Sequence, residues 1–179
     1  WDINGNVSEW TGGIRTVYGE LLMLENNNAA NSDNPQNATS AEWKAIDATT
    51  GAFITPNGSG TTPNSIKIDK AGTGGAQWCT TITTQSSDFN CLLGSMTCAD
   101  GISDAAKKVL RAYGLLPEDG TSATDYDNDR LYFNNQADER LFGSGGNYGN
   151  GTYAGVACSY GFYFSRSAAA VSRGFRSAY

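Results

Sequence analysis

The fold is decided by residues 1–25, which read WDINGNVSEWTGGIRTVYGELLMLE. Asn4-Gly5 is a tight-turn dipeptide. The alternation over residues 14–18 predicts a hairpin strand that runs toward Gly19. Residues 20–25 predict its return strand. The chain therefore opens with strands.

One helix is predicted further along, over residues 103–115. Ser103 is a suitable N-cap, and Asp104 favours the positive end of the helix dipole. Gly114 and Pro117 end the helix. Apolar residues recur at helical spacing and are expected in the core: Ala105, Val109, Leu110 and Tyr113.

The other predicted elements are short. Residues 40–46 suggest one helical turn that begins at a serine cap, and residues 26–37 have the composition of a loop. Strands are predicted at 65–69, where they should be half-exposed, at 77–84 and at 130–133. One helix among short strands and long loops indicates an α+β domain.

Composition narrows the classes of function. The 179 residues fit one domain, 1–179, with a net charge of −6 and no His. Without imidazole, Ser-His-Asp and Cys-His nucleophile systems and His-ligated metals are excluded. The acidic balance argues against a nucleic-acid partner. The apolar run 21–24 is far too short for membrane insertion.

Charge is distributed unevenly along the chain. All 18 acidic residues lie before Leu141. From that residue onward the only charged side chains are Arg166, Arg173 and Arg176. An acidic body thus ends in a mildly basic segment.

The four cysteines, Cys79, Cys91, Cys98 and Cys158, match no zinc spacing. Two interpretations stay open, namely reduced buried thiols or one disulfide, for which Cys91 and Cys98 are the most plausible local pair. Cys158 has no basic neighbour that would activate it, so we interpret it as a small buried hydrophobe.

The triplet Asp125, Asp127 and Asp129 has the alternating spacing with which a calcium loop begins. The sixth position of such a loop lacks glycine here, and Gln136 stands at the twelfth in place of glutamate. We therefore favour a solvated turn and expect neither a metal site nor a cofactor.

The most informative window is residues 147–172. It is rich in Tyr, Gly and Ser, a composition typical of antibody-like binding loops. Trp, Gln, Lys, Glu and Met are absent from its 26 residues, although about three are expected from their share of the chain. These are the amino acids that a codon of the form NNC cannot encode. The alternative is a Gly-rich aromatic segment that fills a core.

Both ends of the chain resemble one fold family. Residues 2–10, DINGNVSEW, resemble the D-x-x-G-N-V-x-E-W signature of the C-type-lectin-like fold. That fold is shared by formylglycine-generating enzymes and by the variable proteins of diversity-generating retroelements. The C-terminal motifs at 145–151, 165–167 and 174–178 look like the matching end. Residues 20–46, together with Gly114-Leu115-Leu116-Pro117, are similar to the phage-borne branch.

The resemblance implies a C-type-lectin-like fold with short strands, few helices and long irregular loops. It implies a non-enzymatic scaffold that displays a C-terminal patch, in which mutagenised codons vary the choice of ligand. Carried over residue by residue, the ligand-binding variable positions are Tyr148, Gly149, Asn150, Tyr153, Tyr160, Phe162, Tyr163, Phe164, Ala168, Ala170, Val171 and Ser172. The aromatic rings among them are expected to point outward.

The same resemblance suggests where the domain is located and what it binds. The domain would be the receptor-binding tip of a phage tail fibre on the virion, or lie on a bacterial cell surface, and would bind a bacterial surface protein or glycan. It also allows a homotrimer. Arg166 and Arg176 are expected to make fixed hydrogen bonds, and the last strand is expected to pair with the first.

Two other functions are weighed against this one. A formylglycine-generating oxidase requires a redox-active cysteine pair late in the chain, where Cys158 stands alone. A purely structural virion or cell-surface protein would pack its aromatic tail against neighbouring subunits. Sequence differences among sibling copies, if confined to the variable positions, would favour ligand recognition.

Overall fold

The computed structural model describes residues 7–72, 74–153 and 158–174, with the backbone alone at Tyr160. It shows a mixed α/β protein built mainly of strands, with one α-helix in the described part. The strands are β1 Ser8–Val17, β2 Glu20–Leu24, β3 Trp43–Ile46, β4 Phe53–Ile54, β5 Lys67–Lys70, β6 Ala76–Cys79, β7 Phe89–Leu92, β8 Thr97–Cys98, β9 Arg130–Phe133, β10 Arg140–Ser144, β11 Ser159–Phe164 and β12 Arg173–Gly174, and the helix is α1 Asp104–Ala112. The predicted Asn4-Gly5 turn and Arg176 lie outside these residues.

The twelve strands belong to one sheet. Its main path runs β7-β9-β11-β10-β1-β2-β5-β6-β8, while β3 and β4 extend from β2. β10 is antiparallel to both β1 and β11, whereas β11 is parallel to β9. The short β12 pairs in parallel with β1, where Ser8 is opposite Arg173. The last described strand thus lies beside the first, as expected.

The predicted hairpin is confirmed by β1 and β2, which pair antiparallel. Tyr18 and Gly19 form its turn with φ values of 46° and 81°, and two positive φ angles match the twist of the flanking strands. A Cβ added at Gly19 would lie 2.6 Å from Ile82 Cδ1 and 2.8 Å from Asn135 Cβ. This position therefore requires glycine for space as well as for conformation.

Hydrophobic side chains pack on both faces of β2. Because side chains alternate along a strand, Leu21 and Met23 enter the larger core cluster and Leu22 and Leu24 the smaller one. Trp78 is fully buried in the larger cluster, and its indole Nε1 donates to the Leu115 carbonyl at 2.7 Å. The buried ring thus has no unpaired polar atom.

Helix α1 confirms the predicted helix and its cap. The Ser103 hydroxyl accepts a hydrogen bond from the Ala106 amide at 3.2 Å. Ala106 and Leu110 are buried and Val109 partly so, but Ala105 and Tyr113 are exposed. The expectation of core positions at Ala105 and Tyr113 is wrong because only a narrow i, i+4 stripe faces the sheet. No described helix is long and apolar enough to cross a bilayer.

Other short predictions need correction. Residues 40–46 form no helical turn: Ser40 Oγ accepts from the Glu42 amide at 3.1 Å in a local turn, and β3 then pairs with β2. β5 is buried, not half-exposed. The strand predicted at 77–84 ends at Cys79 because the amides of residues 83 and 84 donate to the Asp69 carboxylate.

Other predictions agree with the structure. β9 covers the predicted 130–133 strand, and residues 26–37 are a loop interrupted only by a short 3-10 helix, Asn28–Ala30. Of the two interpretations left open for the cysteines, the structure has the reduced one: all four are free thiols, and Cys98 is only partly buried.

Candidate ligand-binding surface

Strand β11 divides the aromatic residues of the C-terminal segment between inside and outside. Phe162 and Phe164 are only 0% and 3% exposed. Phe162 packs against Phe142 at a ring-centroid distance of 5.1 Å, and Phe164 packs against Trp10 at 5.1 Å. The expectation that Phe162 and Phe164 point outward is therefore wrong. They stand at alternate positions of β11, on the face that covers the core.

Tyr163 lies between these two phenylalanines and is only half-buried. Its ring meets Tyr132 of the neighbouring strand β9 edge-on, with centroids 6.4 Å apart. Tyr163 is thus the described side chain of β11 that remains available to a ligand. The side chain of Tyr160 lies outside the described residues.

Strand β9 adds two outward residues that the sequence analysis missed. Arg130 and Tyr132 are partly exposed, whereas Leu131 and Phe133 are buried. The Arg130 guanidinium lies 4.3 Å from the centre of the Tyr153 ring and also hydrogen-bonds Asn90 Oδ1. The alternation of polar and apolar residues in the β9 sequence RLYF could have indicated them, because every second residue of a half-buried strand lies on its outer face.

The loop from Gly145 to Tyr153 holds the first group of candidate positions. Tyr148 is 66% exposed and Tyr153 39% exposed, and Gly149 is also exposed. The Asn147 amide donates to Asn150 Oδ1 at 2.6 Å, and the Tyr153 amide donates to the Asn150 carbonyl at 3.1 Å. Asn150 therefore shapes the loop that presents the two tyrosines.

The loop from Ser165 to Ser172 holds the second group. Val171 is 86% exposed and Ala170 is exposed, whereas Ala168 and Ser172 are half-buried. The loop is tied at its end, since the Ser172 carbonyl accepts from the Ser8 amide at 2.9 Å. An apolar side chain as exposed as Val171 on a tethered loop is available for contact with a partner.

A partly buried ion network fixes the start of this second loop. Arg166 donates through Nε and Nη2 to the Glu139 carboxylate at 2.8 and 2.7 Å, as expected for a fixed arginine. Arg15 donates to the same carboxylate at 2.5 Å, and its guanidinium lies 4.3 Å from the centre of the Trp43 ring. The three charged groups join the loop to β1 and to the segment before β10.

The environment shifts two pKa values within this network. Burial acts to raise the pKa of Glu139, but the hydrogen bonds from Arg166 and Arg15 outweigh it and lower that pKa below its usual range. Burial lowers the pKa of Arg15 despite its bond to Glu139. The carboxylate is thus held ionised by its two partners.

A pocket of about 250 Å³ lies between Tyr163, Ala168 and Arg173. It is lined by Tyr163 and Phe164 at the end of β11 and by Ala168 of the second loop, so it joins two of the candidate segments. A larger cleft of about 680 Å³ surrounds Tyr18 and Lys67 and includes none of the candidate positions.

The structure supports neither a metal site at the Asp125, Asp127 and Asp129 triplet nor a reactive thiol at Cys158. Asp125 accepts from the Ser122 amide in a capping box of the 3-10 helix Ala123–Tyr126. In the described part of the chain, no group of three or more His, Cys, Asp or Glu side chains is arranged to hold a metal ion. Cys158 is buried, and burial raises the pKa of its thiol, which disfavours a nucleophilic thiolate.

No protein-family model matches the chain, and no curated protein shows significant similarity to it.

Proposed function

We propose that this chain is a ligand-binding, receptor-recognition domain with a C-type-lectin-like fold. Its setting would be the tip of a phage tail fibre on the virion, or a bacterial cell surface, and its partner a bacterial surface protein or glycan. The proposal rests on the residue motifs at both ends of the chain and on the arrangement of the C-terminal segment.

One observation carries the proposal. The C-terminal segment buries Phe162 and Phe164 in the core, while it exposes Tyr148, Tyr153 and Val171 on loops. Tyrosines supply large, rigid contact areas at low entropic cost. A segment that served only to fill the core would not leave such residues on loops tied to a fixed frame.

The recognition surface consists of the outward candidate positions and the β9 side chains beside them. Clustered aromatic side chains that lose water on binding can each contribute about 2 kcal/mol. Residues outside this surface, above all Arg15, Glu139 and Arg166, hold the loops in place. The positions proposed to vary, within the described side chains, are Tyr148, Gly149, Asn150, Tyr153, Tyr163, Ala168, Ala170, Val171 and Ser172.

A binding assay on bacterial cells tests the proposal. The fluorescently labelled domain is incubated with a panel of bacteria, and a cell type that it binds is then tested with the double variant Tyr148→Ala/Tyr163→Ala. We expect binding to fall at least about tenfold with a nearly unchanged melting temperature. Tyr113→Ala, which removes an exposed tyrosine at the end of α1, is the control and should bind normally.

Two results would contradict the proposal. If the double variant binds as well as the parent, the surface does not recognise the cells. If the domain binds no cell type but assembles with itself through the exposed tyrosines, the structural-protein alternative is favoured.

A further inference from the structure

We infer that the pocket beside β11 binds the carboxylate of an acidic sugar. This inference rests on the proposed function, because it names the class of ligand for part of the same surface. The pocket lies where the end of β11 meets the loop that runs into β12. Its lining includes Arg140, Arg173, Asn134, Tyr163, Ser165 and Ala168.

No carboxylate of the described residues pairs with either arginine of the pocket. The described residues form four ion pairs, which engage Arg15, Lys107, Arg111 and Arg166, and neither pocket arginine is among them. Glu139, which precedes Arg140 in the chain, is already bonded to two other arginines. A guanidinium without a protein anion can offer its paired N–H donors to a carboxylate from outside.

The side-chain contacts hold both guanidinium groups in place. Arg173 lies with its Cζ atom 4.1 Å from the centre of the Phe164 ring, which orients it by a cation–π contact. Arg140 donates through Nη1 to the Glu139 carbonyl at 2.7 Å, which fixes the orientation of its guanidinium.

The charge distribution favours an anion at this place. None of the residues that line the pocket is acidic. The 39 residues from Leu141 onward carry three arginines and no acid, whereas the preceding 140 carry 18 acids and nine basic residues. The field of an acidic protein would repel anions from most of its surface and leave this segment as the attractive part.

The shape and chemistry of the pocket favour a sugar as the carrier of that carboxylate. Its volume of about 250 Å³ admits a single small ring and not a long chain. Tyr163 supplies an aromatic wall, while Ser165 supplies a hydroxyl that can bond a sugar hydroxyl. An acidic peptide loop is the competing source of a carboxylate, and the experiment below separates the two.

The test is an NMR titration of the ¹⁵N-labelled chain. The probes are galacturonate, glucuronate and N-acetylneuraminate, and galactose is the neutral counterpart of galacturonate. We expect saturable shifts of the amide signals of Ser165, Ala168 and Arg173 with at least one acidic sugar. For galacturonate, the neutral sugar should bind at least about tenfold more weakly. Added salt should weaken the binding of the acidic sugar but not that of galactose.

Variants of the two arginines test whether these side chains bind the acidic sugar. Arg140→Gln and Arg173→Gln should each lower the affinity for the acidic sugar about tenfold. Lys108→Gln removes the same charge from an exposed position of α1 and should leave the affinity unchanged. The inference is overturned if none of the three acidic sugars binds saturably, if galactose and galacturonate bind equally, or if both arginine variants bind like the parent.

Cell binding distinguishes a failure of this inference from a failure of the proposed function. If the cell binding depends on Tyr148 and Tyr163 but not on Arg140 or Arg173, the proposed recognition surface is supported and the inference of an acidic-sugar pocket is overturned. If protease treatment of the cells abolishes an Arg173-dependent binding, the carboxylate belongs to a protein and the inference is again overturned.

Discussion

Phe162 and Tyr163 are adjacent in β11 and lie on opposite faces of the sheet. Phe162 is fully buried against Phe142, whereas Tyr163 is half-exposed and contacts Tyr132 on the outer face. One strand therefore contributes to the core and to the candidate recognition surface at successive positions.

This relationship predicts unequal costs for two neighbouring substitutions. Phe162→Ala leaves a cavity in the core and should lower the free energy of unfolding by about 3 to 5 kcal/mol. Tyr163→Ala should lower it by about 1 kcal/mol or less, because the residue is only half-buried. Urea denaturation followed by tryptophan fluorescence measures both values, and similar losses for the two variants would be inconsistent with the assigned faces.

The Glu139 network predicts an acid-sensitive contribution to stability. The pKa of Glu139 is lowered in the folded chain, so its contribution is present above the unfolded-state value of about 4.5 and is lost as the pH falls through the folded value. Glu139→Gln should destabilise the domain by about 3 kcal/mol at pH 7, because the buried Arg15 loses its only charged partner among the described residues and keeps just neutral acceptors such as the Ala38 carbonyl.

The pH dependence distinguishes this network from a simple packing effect. Between pH 7 and pH 3, the free energy of unfolding should fall by less in Glu139→Gln than in the parent chain, since the variant has no carboxylate to protonate at this position. Chemical denaturation at several pH values measures this difference. Parallel pH curves for the two proteins would show that the ion network contributes nothing specific.

Two glycines in left-handed conformations form a matched pair. Gly19→Ala introduces a Cβ within 3 Å of Ile82 and Asn135 at φ 81°, while Gly58→Ala at φ 78° meets open space. We expect a loss of about 1 kcal/mol for Gly58→Ala from backbone strain alone, and a clearly greater loss for Gly19→Ala. Thermal melts compare the two, and equal effects would argue against the close packing at the hairpin.

The buried thiols should react slowly in the native protein. Burial raises the pKa of Cys79 and Cys91 to about 11, so at pH 8 only about one of these thiols in a thousand is ionised. Iodoacetamide labelling followed by mass spectrometry should modify them far faster in guanidinium than in buffer. Equal rates in the two conditions would contradict their burial.

Local patterns in the sequence were sufficient for some elements and not for others. The β1–β2 hairpin and α1 were predictable because their turn, cap and spacing signals lie within a few residues. Trp43–Ile46 was mistaken for a helical turn because its strand conformation comes from pairing with β2, which is distant in sequence. The burial of β5 also depends on a distant neighbour, since β5 pairs with β2 as well as with the nearby β6.

The candidate surface was predictable as a segment but not residue by residue. Composition pointed to residues 147–172, yet it could not separate Phe162 and Phe164 from Tyr163, because the register of β11 is set by its neighbours β10 and β9. Arg130 was missed because it joins the surface through the fold and not through its position in the chain.

A mutational scan of residues 147–172 tests the central claim most directly. Each variant is displayed on cells and scored both for folding, by its display level, and for binding to a bacterium recognised by the parent domain. Substitutions at Phe162, Phe164 and Arg166 should reduce display, whereas those at Tyr148 and Tyr163 should reduce binding at normal display. The claim is contradicted if binding falls only where display falls.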